Sequence, residues 1–219
     1  ILTYYKYVFK NKFTTEGKCG NMAYNECIHI HYLNKNAIND LTFHLANIIP
    51  FHMKHLVFCA IGTDRCIGDA IGPLVGDTIS ADPYFPFPIY GTLKNPVHAL
   101  NINETIQHIH IMHPNAYIIA IDACLGYEQQ IGQVVLEKGP IYPGIAFEKK
   151  LNPIGDLSIK AIVNKKGPNQ LQQLQSTRLH FVMELSKMIS DAIINAYKIN
   201  SLNHLHKKND YSYYNKTWQ

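Results

Sequence analysis

Between residues 55 and 123 the sequence alternates short apolar runs with amphipathic segments, and this order limits the chain to few folds. The apolar runs have the length of strands, and the segments between them repeat apolar residues at helical spacing. Strands that alternate with helices pair in parallel through right-handed crossovers, with helices on both faces of the sheet. The predicted elements are strands at 55–61, 89–93 and 116–123 and helices at 69–80 and 101–113. The predicted fold class is therefore α/β, with a mostly parallel, twisted sheet.

The pattern changes in the last third of the chain. Residues 131–137 and 157–164 read as strands without a helix between them, which indicates an antiparallel or edge addition to the sheet. A final helix is predicted at 177–197, and a short strand at 27–32. The predicted domain organisation is a weakly ordered N-terminal arm at 1–36, one α/β domain at 37–199 and a polar tail at 200–219.

Composition narrows the classes of partner. Hydrophobic residues make up 47% of the 219, enough for a full core, and the formal charge is only +4. Much of the excess base lies at the two ends of the chain, which argues against nucleic acid as the main ligand. No apolar run approaches the length of a membrane span. The five cysteines form no CxxC pair, so we predict a reduced, cytoplasmic setting.

Two aspartates follow the ends of predicted strands. Asp69 lies beyond the first strand, and Asp122 directly follows the run Ile118-Ile-Ala-Ile. Because the carboxyl ends of parallel strands open into one crevice, we expect both side chains at the same edge of the sheet. Two carboxyls about 4 Å apart repel by roughly 4 kcal/mol at an effective dielectric of about 20, so one of them keeps its proton near neutral pH. The ionised carboxyl activates water and the protonated one polarises a carbonyl, as in an aspartic peptidase.

The same residues also suit other roles. The two carboxyls are oxygen ligands for a divalent metal, and His98, which follows the second strand, is a candidate third ligand or proton carrier. An aspartate such as Asp69 also caps helices, and turns accept one such as Asp122. Asp64, in the first loop, either caps that loop or positions substrate. We predict Asp69 and Asp122 as catalytic residues, with Asp64 and His98 lining the cleft.

Two further interpretations of the first loop are disfavoured. Its glycines, Gly62, Gly68 and Gly72, do not have the GxGxxG spacing, and no lysine follows as in a Walker motif. Nucleotide binding is therefore not predicted. Cys66 lies beside Arg65, but no Cys–His–acid arrangement accompanies it, so a thiol nucleophile is not predicted either.

Several blocks of sequence together carry a family resemblance. They include Asp-Ala-Ile-Gly-Pro, which contains Asp69, and Ile-Asp-Ala, which contains Asp122. The full set lies at 61–76, 90–99, 121–126, 139–144, 154–159 and 174–179. Over about residues 38–197 the chain resembles the YyaC-type sporulation proteins of spore-forming bacteria.

This resemblance implies a fold and a site. The YyaC-type proteins are similar to the germination protease and, more distantly, to the hydrogenase-maturation endopeptidases, which implies a three-layer, phosphorylase/hydrolase-like α/β sandwich. Asp69 and Asp122 match the places of the two catalytic aspartates of the germination protease. The hydrogenase-maturation enzymes hold metal with the corresponding acidic pair and a histidine. The resemblance thus also implies an alternative site for nickel or zinc at Asp69, Asp122 and His98.

The resulting prediction is a peptidase of spore formation or germination that acts on a protein or peptide, needs no cofactor and resides in the spore or forespore cytoplasm. One alternative is a metal-dependent endopeptidase of the maturation type, and another is a non-catalytic sporulation factor that binds a protein partner. A nucleoside-phosphorylase type of hydrolase is the weakest choice, because no phosphate-binding cluster of Arg or Ser is evident. The oligomeric state stays open.

Overall fold

One mixed sheet of six strands organises the computed structural model, which describes residues 27–143 and 151–214, with the backbone alone for 204–214. The strands are β1 Ile28–His31, β2 Leu56–Ala60, β3 Ile89–Tyr90, β4 Tyr117–Gly126, β5 Gln133–Lys138 and β6 Leu157–Lys165. Their order across the sheet is β1-β5-β6-β4-β2-β3. β3, β2, β4 and β6 pair in parallel, and β5 pairs antiparallel with both of its neighbours. The predicted α/β class with a mostly parallel sheet is confirmed.

Five α-helices accompany the sheet in the described part of the chain. They are α1 Ala37–Ile48, α2 Ile71–Ser80, α3 Ile102–Met112, α4 Gln170–Gln175 and α5 Leu179–Tyr214. The short 3₁₀ turns Ile67–Asp69 and Glu128–Gln130 precede α2 and β5. The helix predicted at 69–80 is thus a 3₁₀ turn followed by an α-helix, and α4 was not predicted.

Both faces of β2 are buried, which explains why this strand is apolar without interruption. On β2, Leu56, Phe58 and Ala60 belong to a cluster with buried residues of α1, α2 and α5. Val57 and Cys59 alternate with them and belong to a second cluster with residues of α3. Helices therefore pack on either side of the strand from which the candidate site extends.

The ends of the domain differ from the predicted bounds. Within the predicted arm 1–36, β1 pairs with β5 as an edge strand, and residues 1–26 lie outside the described residues. The antiparallel addition is confirmed by the pairing of β5 with β6. The last helix, predicted to end at 197, continues through most of the predicted tail to Tyr214. This stretch contains neither glycine nor proline, so no residue stops the helix.

No helix in the described ranges combines the length and the apolar character needed to cross a membrane.

Candidate active site

Asp69 is held against the end of β2 by backbone contacts of the loop between β2 and α2. The loop turns at Gly62, whose φ of 139° favours glycine; a Cβ there would lie 2.0 Å from the Asp69 carbonyl oxygen. The Thr63 N–H donates to that oxygen at 3.0 Å, and the Asp69 N–H donates to the Cys66 carbonyl at 2.9 Å. The N-cap of α2 is Ala70, without a side-chain hydrogen bond. The Asp69 carboxyl is therefore not the cap of this helix.

Asp122 lies inside β4, not at its end as the sequence suggested. β2 ends opposite Ile121, whereas β4 continues, so the next side chains of β4 project past the end of its neighbour. The Ile61 N–H donates to the Ile121 carbonyl at 2.7 Å, which places Asp122 beside the start of the loop that carries Asp69. On its other side Asp122 is in register with Lys160 of β6.

A cavity of about 340 Å³ opens at this edge of the sheet and brings the two carboxyls together. Its polar and titratable lining residues are Asp69, His98, Asp122, Cys124, Tyr142, Lys160, Lys166 and Gln170. Three of the four predicted site residues therefore meet at one cavity. Asp64 is exposed in the loop and is not among the lining residues.

Burial sets the protonation of the acid pair. It raises the pKa of Asp69 from 3.8 to about 7, and a backbone hydrogen bond from Thr63 offsets part of this rise. Burial, and next the charge of Asp69, hold the pKa of Asp122 well above 3.8, against a backbone hydrogen bond from Ala123. Because the charge of Asp69 acts on Asp122, Asp69 ionises first and the remaining proton stays on Asp122. Near neutral pH the pair thus holds one base and one acid.

His98 lines the same cavity, and a hydrogen bond determines which ring nitrogen holds its proton. Nδ1 accepts the Leu100 backbone N–H at 3.3 Å, so the neutral ring carries its proton on Nε2. The His98 carbonyl accepts the N–H groups of Asn101 and Ile102, each at 3.0 Å, where α3 begins. His98 also lines a second, more open cavity of about 520 Å³. The ring therefore presents an N–H donor at the junction of two cavities.

The residues present do not fit a bound metal in this arrangement. Within 27–143 and 151–203, no three His, Cys, Asp or Glu side chains are grouped to hold one. A metal on Nε2 of His98 would also require the ring proton on Nδ1, where the Leu100 N–H already donates. The metal alternative stays a prediction, and the chemistry below uses the two carboxyls alone.

The thiols near the acid pair remain protonated. Burial raises the pKa of Cys124 to about 12; Asp122 adds to the rise, and Lys160 and Lys166 oppose it. Burial and the charge of Asp69 also raise the pKa of Cys66. Neither thiol therefore supplies the thiolate that a cysteine nucleophile needs.

Sequence reasoning missed five polar lining residues, Cys124, Tyr142, Lys160, Lys166 and Gln170, and two of them had a detectable signal. Cys124 follows Asp122 by two residues on one strand, so the period of a strand places it on the same face. Lys166 follows the end of β6, where parallel strands open into the crevice. Lys160 could be placed at the cavity only from its register with Asp122. A register between strands that are distant in the chain cannot be determined from one sequence.

Comparisons with known proteins agree on one family. The model of a family described as "Protein of unknown function (DUF1256)" matches residues 29–192. The chain is also similar to "Uncharacterized protein YyaC" of Bacillus subtilis (strain 168), with 41% identity over 140 residues. That alignment covers 64% of this chain and 68% of the relative. The predicted YyaC-type resemblance is confirmed, and neither description assigns an activity.

Proposed function

Since this chain belongs to the family described as protein of unknown function (DUF1256), we propose a function from its site: a peptidase that hydrolyses peptide bonds with Asp69 and Asp122. The observation that carries the proposal is the meeting of two carboxyls in one cavity, where burial keeps a proton on the pair. Hydrolysis of an amide needs a base for water and an acid for the carbonyl at the same pH. The pair supplies both.

In the first step the ionised Asp69 accepts a proton from water while the water oxygen bonds to the carbonyl carbon of the peptide. Asp122 donates its proton to the carbonyl oxygen, so the tetrahedral adduct is a neutral gem-diol. Asp69 is now protonated and Asp122 ionised. The buried pair favours this exchange because its net charge does not change.

In the second step the C–N bond breaks. Asp69 donates its proton to the amide nitrogen, and Asp122 accepts a proton from one hydroxyl of the gem-diol. A carboxylic acid and an amine leave, and both aspartates return to their starting states. Each carboxyl therefore acts once as acid and once as base.

The lining supports a peptide as the substrate. Two cavities of about 340 and 520 Å³ share His98, which makes room for residues on both sides of the reacting carbonyl. The N–H of His98 is the proposed donor that orients this carbonyl. Asp64 is the proposed contact for a substrate that extends onto the exposed loop.

The finer features of the fold and the biological setting belong to the same proposal. Packing of helices on either side of β2 supports a three-layer sandwich of the phosphorylase/hydrolase kind. Similarity to YyaC supports, through the likeness of YyaC-type proteins to the germination protease, a role in spore formation or germination. The proposed location is the cytoplasm of the spore or forespore.

Cleavage of a randomised peptide library, read by mass spectrometry, tests the proposal. We expect Asp69→Asn and Asp122→Asn each to lower kcat by about 10²–10⁴-fold, because each removes one acid–base partner. Asp40→Asn, an exposed change on α1, is the matched control and keeps full activity. Cleavage by both site variants at the wild-type rate would refute the proposal. Absence of cleavage, together with normal sporulation of both variants, would support the non-catalytic alternative.

Metal removal separates the two catalytic alternatives. We expect protein dialysed against EDTA to retain its activity, because the proposed steps use carboxyls and water only. Activity that is lost on dialysis and restored by zinc or nickel would favour the metal-dependent endopeptidase. Purified protein should then contain about one metal ion per chain.

A further inference from the structure

Two lysines give one side of the cavity a positive charge that the proposed hydrolysis does not use. Lys160 lies beside Asp122 in the register of β4 and β6. Lys166 follows β6, and its N–H donates to the Gly126 carbonyl at 2.8 Å. Both side chains line the cavity that contains the acid pair.

The two ammonium groups converge on the same part of the cavity. Cys124 lies between Asp122 and Gly126 on β4, and both lysines act on its thiol electrostatically. Asp122 acts on the same thiol with the opposite effect. The two lysines therefore place positive charge in the cavity beside Asp122 and Cys124.

The two lysines differ in how far their charge is neutralised. Lys160 forms an ion pair with Glu137 of the adjacent β5. Among the ion pairs of the described residues, none includes Lys166, whose side chain is exposed. The ion pair with Glu137 compensates the charge of Lys160. The positive charge of Lys166 is therefore available to bind a ligand.

We propose that Lys166, with Lys160 beside it, binds a carboxylate of the peptide substrate close to the bond that is cut. This inference rests on the proposed peptidase function and names its substrate class: peptides that are acidic near the scissile bond. From Asp122 to Gly126 β4 spans roughly 13 Å, and an extended peptide advances about 3.4 Å per residue. With the lysine side chains reaching back toward Cys124, the carboxylate lies within about two or three residues of the reacting carbonyl.

A charge-removal series measured on the randomised peptide library tests this site. We expect Lys166→Gln to lower kcat/KM for cleavage next to Asp or Glu by about tenfold, because a charge-assisted contact is lost. Lys165→Gln is the matched control, since Lys165 is an exposed neighbour that does not line the cavity. Glu137→Gln should have the opposite effect to Lys166→Gln: it should lower KM for the same acidic peptides, because it releases Lys160 from its ion pair.

Peptides with free and with amidated C termini distinguish the two possible sources of the carboxylate, a side chain and the C terminus. If cleavage persists with amidated C termini and follows Asp or Glu, the carboxylate is a side chain. If amidation abolishes cleavage, the carboxylate is the free C terminus. In both cases the preference weakens as ionic strength rises, because salt screens an exposed ion pair.

Binding of the same peptides to Asp122→Asn keeps this inference separable from the proposed hydrolysis. Binding that needs an acidic peptide and Lys166, without cleavage by the wild type, would support the carboxylate site and refute the peptidase. Cleavage that ignores acidic residues and is equal in Lys166→Gln and Lys165→Gln would refute the carboxylate site and leave the peptidase standing. Neither binding nor cleavage of any peptide would refute both.

Discussion

At the scale of single residues, the site depends on two carboxyls whose surroundings oppose ionisation. Asp69 and Asp122 face the cavity, yet burial is the largest cause of the raised pKa of both. A carboxyl in this state costs the folded protein free energy once it loses its proton. The residues proposed to react are therefore also residues that destabilise the fold at high pH.

The sign of this effect predicts how stability depends on pH. In the unfolded chain both carboxyls ionise near their ordinary pKa of 3.8, whereas the folded pair still binds protons up to about 7 or above. Below pH 3.8 each of these carboxyls contributes its full stabilisation to the fold. As the pH rises from 3.8 to the pKa in the folded protein, the contribution of each carboxyl to the free energy of unfolding falls by about 1.4 kcal/mol per pH unit. We expect the double variant Asp69→Asn/Asp122→Asn to be more stable than the wild type at pH 8, by several kcal/mol, with the difference shrinking toward pH 4.

Urea unfolding from pH 4 to pH 8 measures this difference. The control Asp40→Asn changes an exposed aspartate outside the cavity and leaves the acid pair in place. A constant difference for the double variant would show that burial does not hold protons on the pair.

The site residues that could be predicted from the sequence lie at or near the ends of strands. Asp69 and His98 each follow a strand in the chain, and Asp122 lies where β4 extends past the end of β2. The parallel sheet brings these positions to one edge. Asp64 lies in the same loop as Asp69 but is exposed, whereas Asp69 is half-buried in the 3₁₀ turn, where its carbonyl accepts the Thr63 N–H. Lys160 depends on a pairing register that no local pattern encodes.

At the scale of elements, close packing at glycines holds the loop between β2 and α2 in place. A Cβ at Gly62 would lie 2.0 Å from the Asp69 carbonyl oxygen, and a Cβ at Gly72 would lie 2.0 Å from the Ile61 carbonyl oxygen. The first contact joins the loop to the 3₁₀ turn, and the second joins α2 to the end of β2. Any side chain at these positions must push the acid-bearing turn away from the sheet.

Gly62→Ala tests this link between backbone packing and chemistry. We expect a loss of at least about 1–2 kcal/mol from the positive φ alone, and a further loss from the contact with the Asp69 backbone. Peptide cleavage by the folded fraction should fall by about tenfold or more, because a displacement of about 1 Å at a catalytic group has a large effect.

Gly132→Ala is the matched control. Gly132 also has a positive φ, of 91°, but a Cβ there meets the Tyr32 ring, away from the cavity. This variant should lose stability and keep its activity per folded molecule. Equal activity of folded Gly62→Ala and Gly132→Ala would contradict the positioning role of the loop.

Helix and strand bounds were predicted where local signals are strong and missed where they are weak. Pro114 follows α3 closely, and this helix, predicted at 101–113, ends at Met112. The turn at Ile67–Asp69 was read as part of a helix, because a 3₁₀ turn and an α-helix share much of their periodicity. No breaker marks the end of α5, so its extent could not be read from the polar composition of the tail.

At the scale of the whole molecule, the sheet begins with a strand from the predicted arm. Ile30 of β1 is buried and pairs with Val134 of β5, so this segment contributes to the main core. β5 in turn pairs with β6, which carries Lys160. The first strand of the domain thus supports the strands that form the basic side of the cavity.

Ile30→Ala tests whether β1 is an integral part of the domain. We expect it to lower the free energy of unfolding by about 2–5 kcal/mol, because it leaves a cavity in a packed core. His29→Ala, an exposed change in the same strand, should cost less than about 1 kcal/mol, although it removes a hydrogen bond to Gln133. Thermal or urea unfolding measures both. Equal, small losses would mean that the domain does not need β1.

The central claim is that Asp69 and Asp122 share a proton near neutral pH, and an NMR titration of their carboxyl carbons tests it most directly. The account predicts that Asp69 titrates at about 7 and Asp122 well above 3.8, and that Asp69→Asn lowers the pKa of Asp122 by removing a neighbouring charge. Two independent titrations near 3.8, with neither carboxyl responding to substitution of the other, would contradict it.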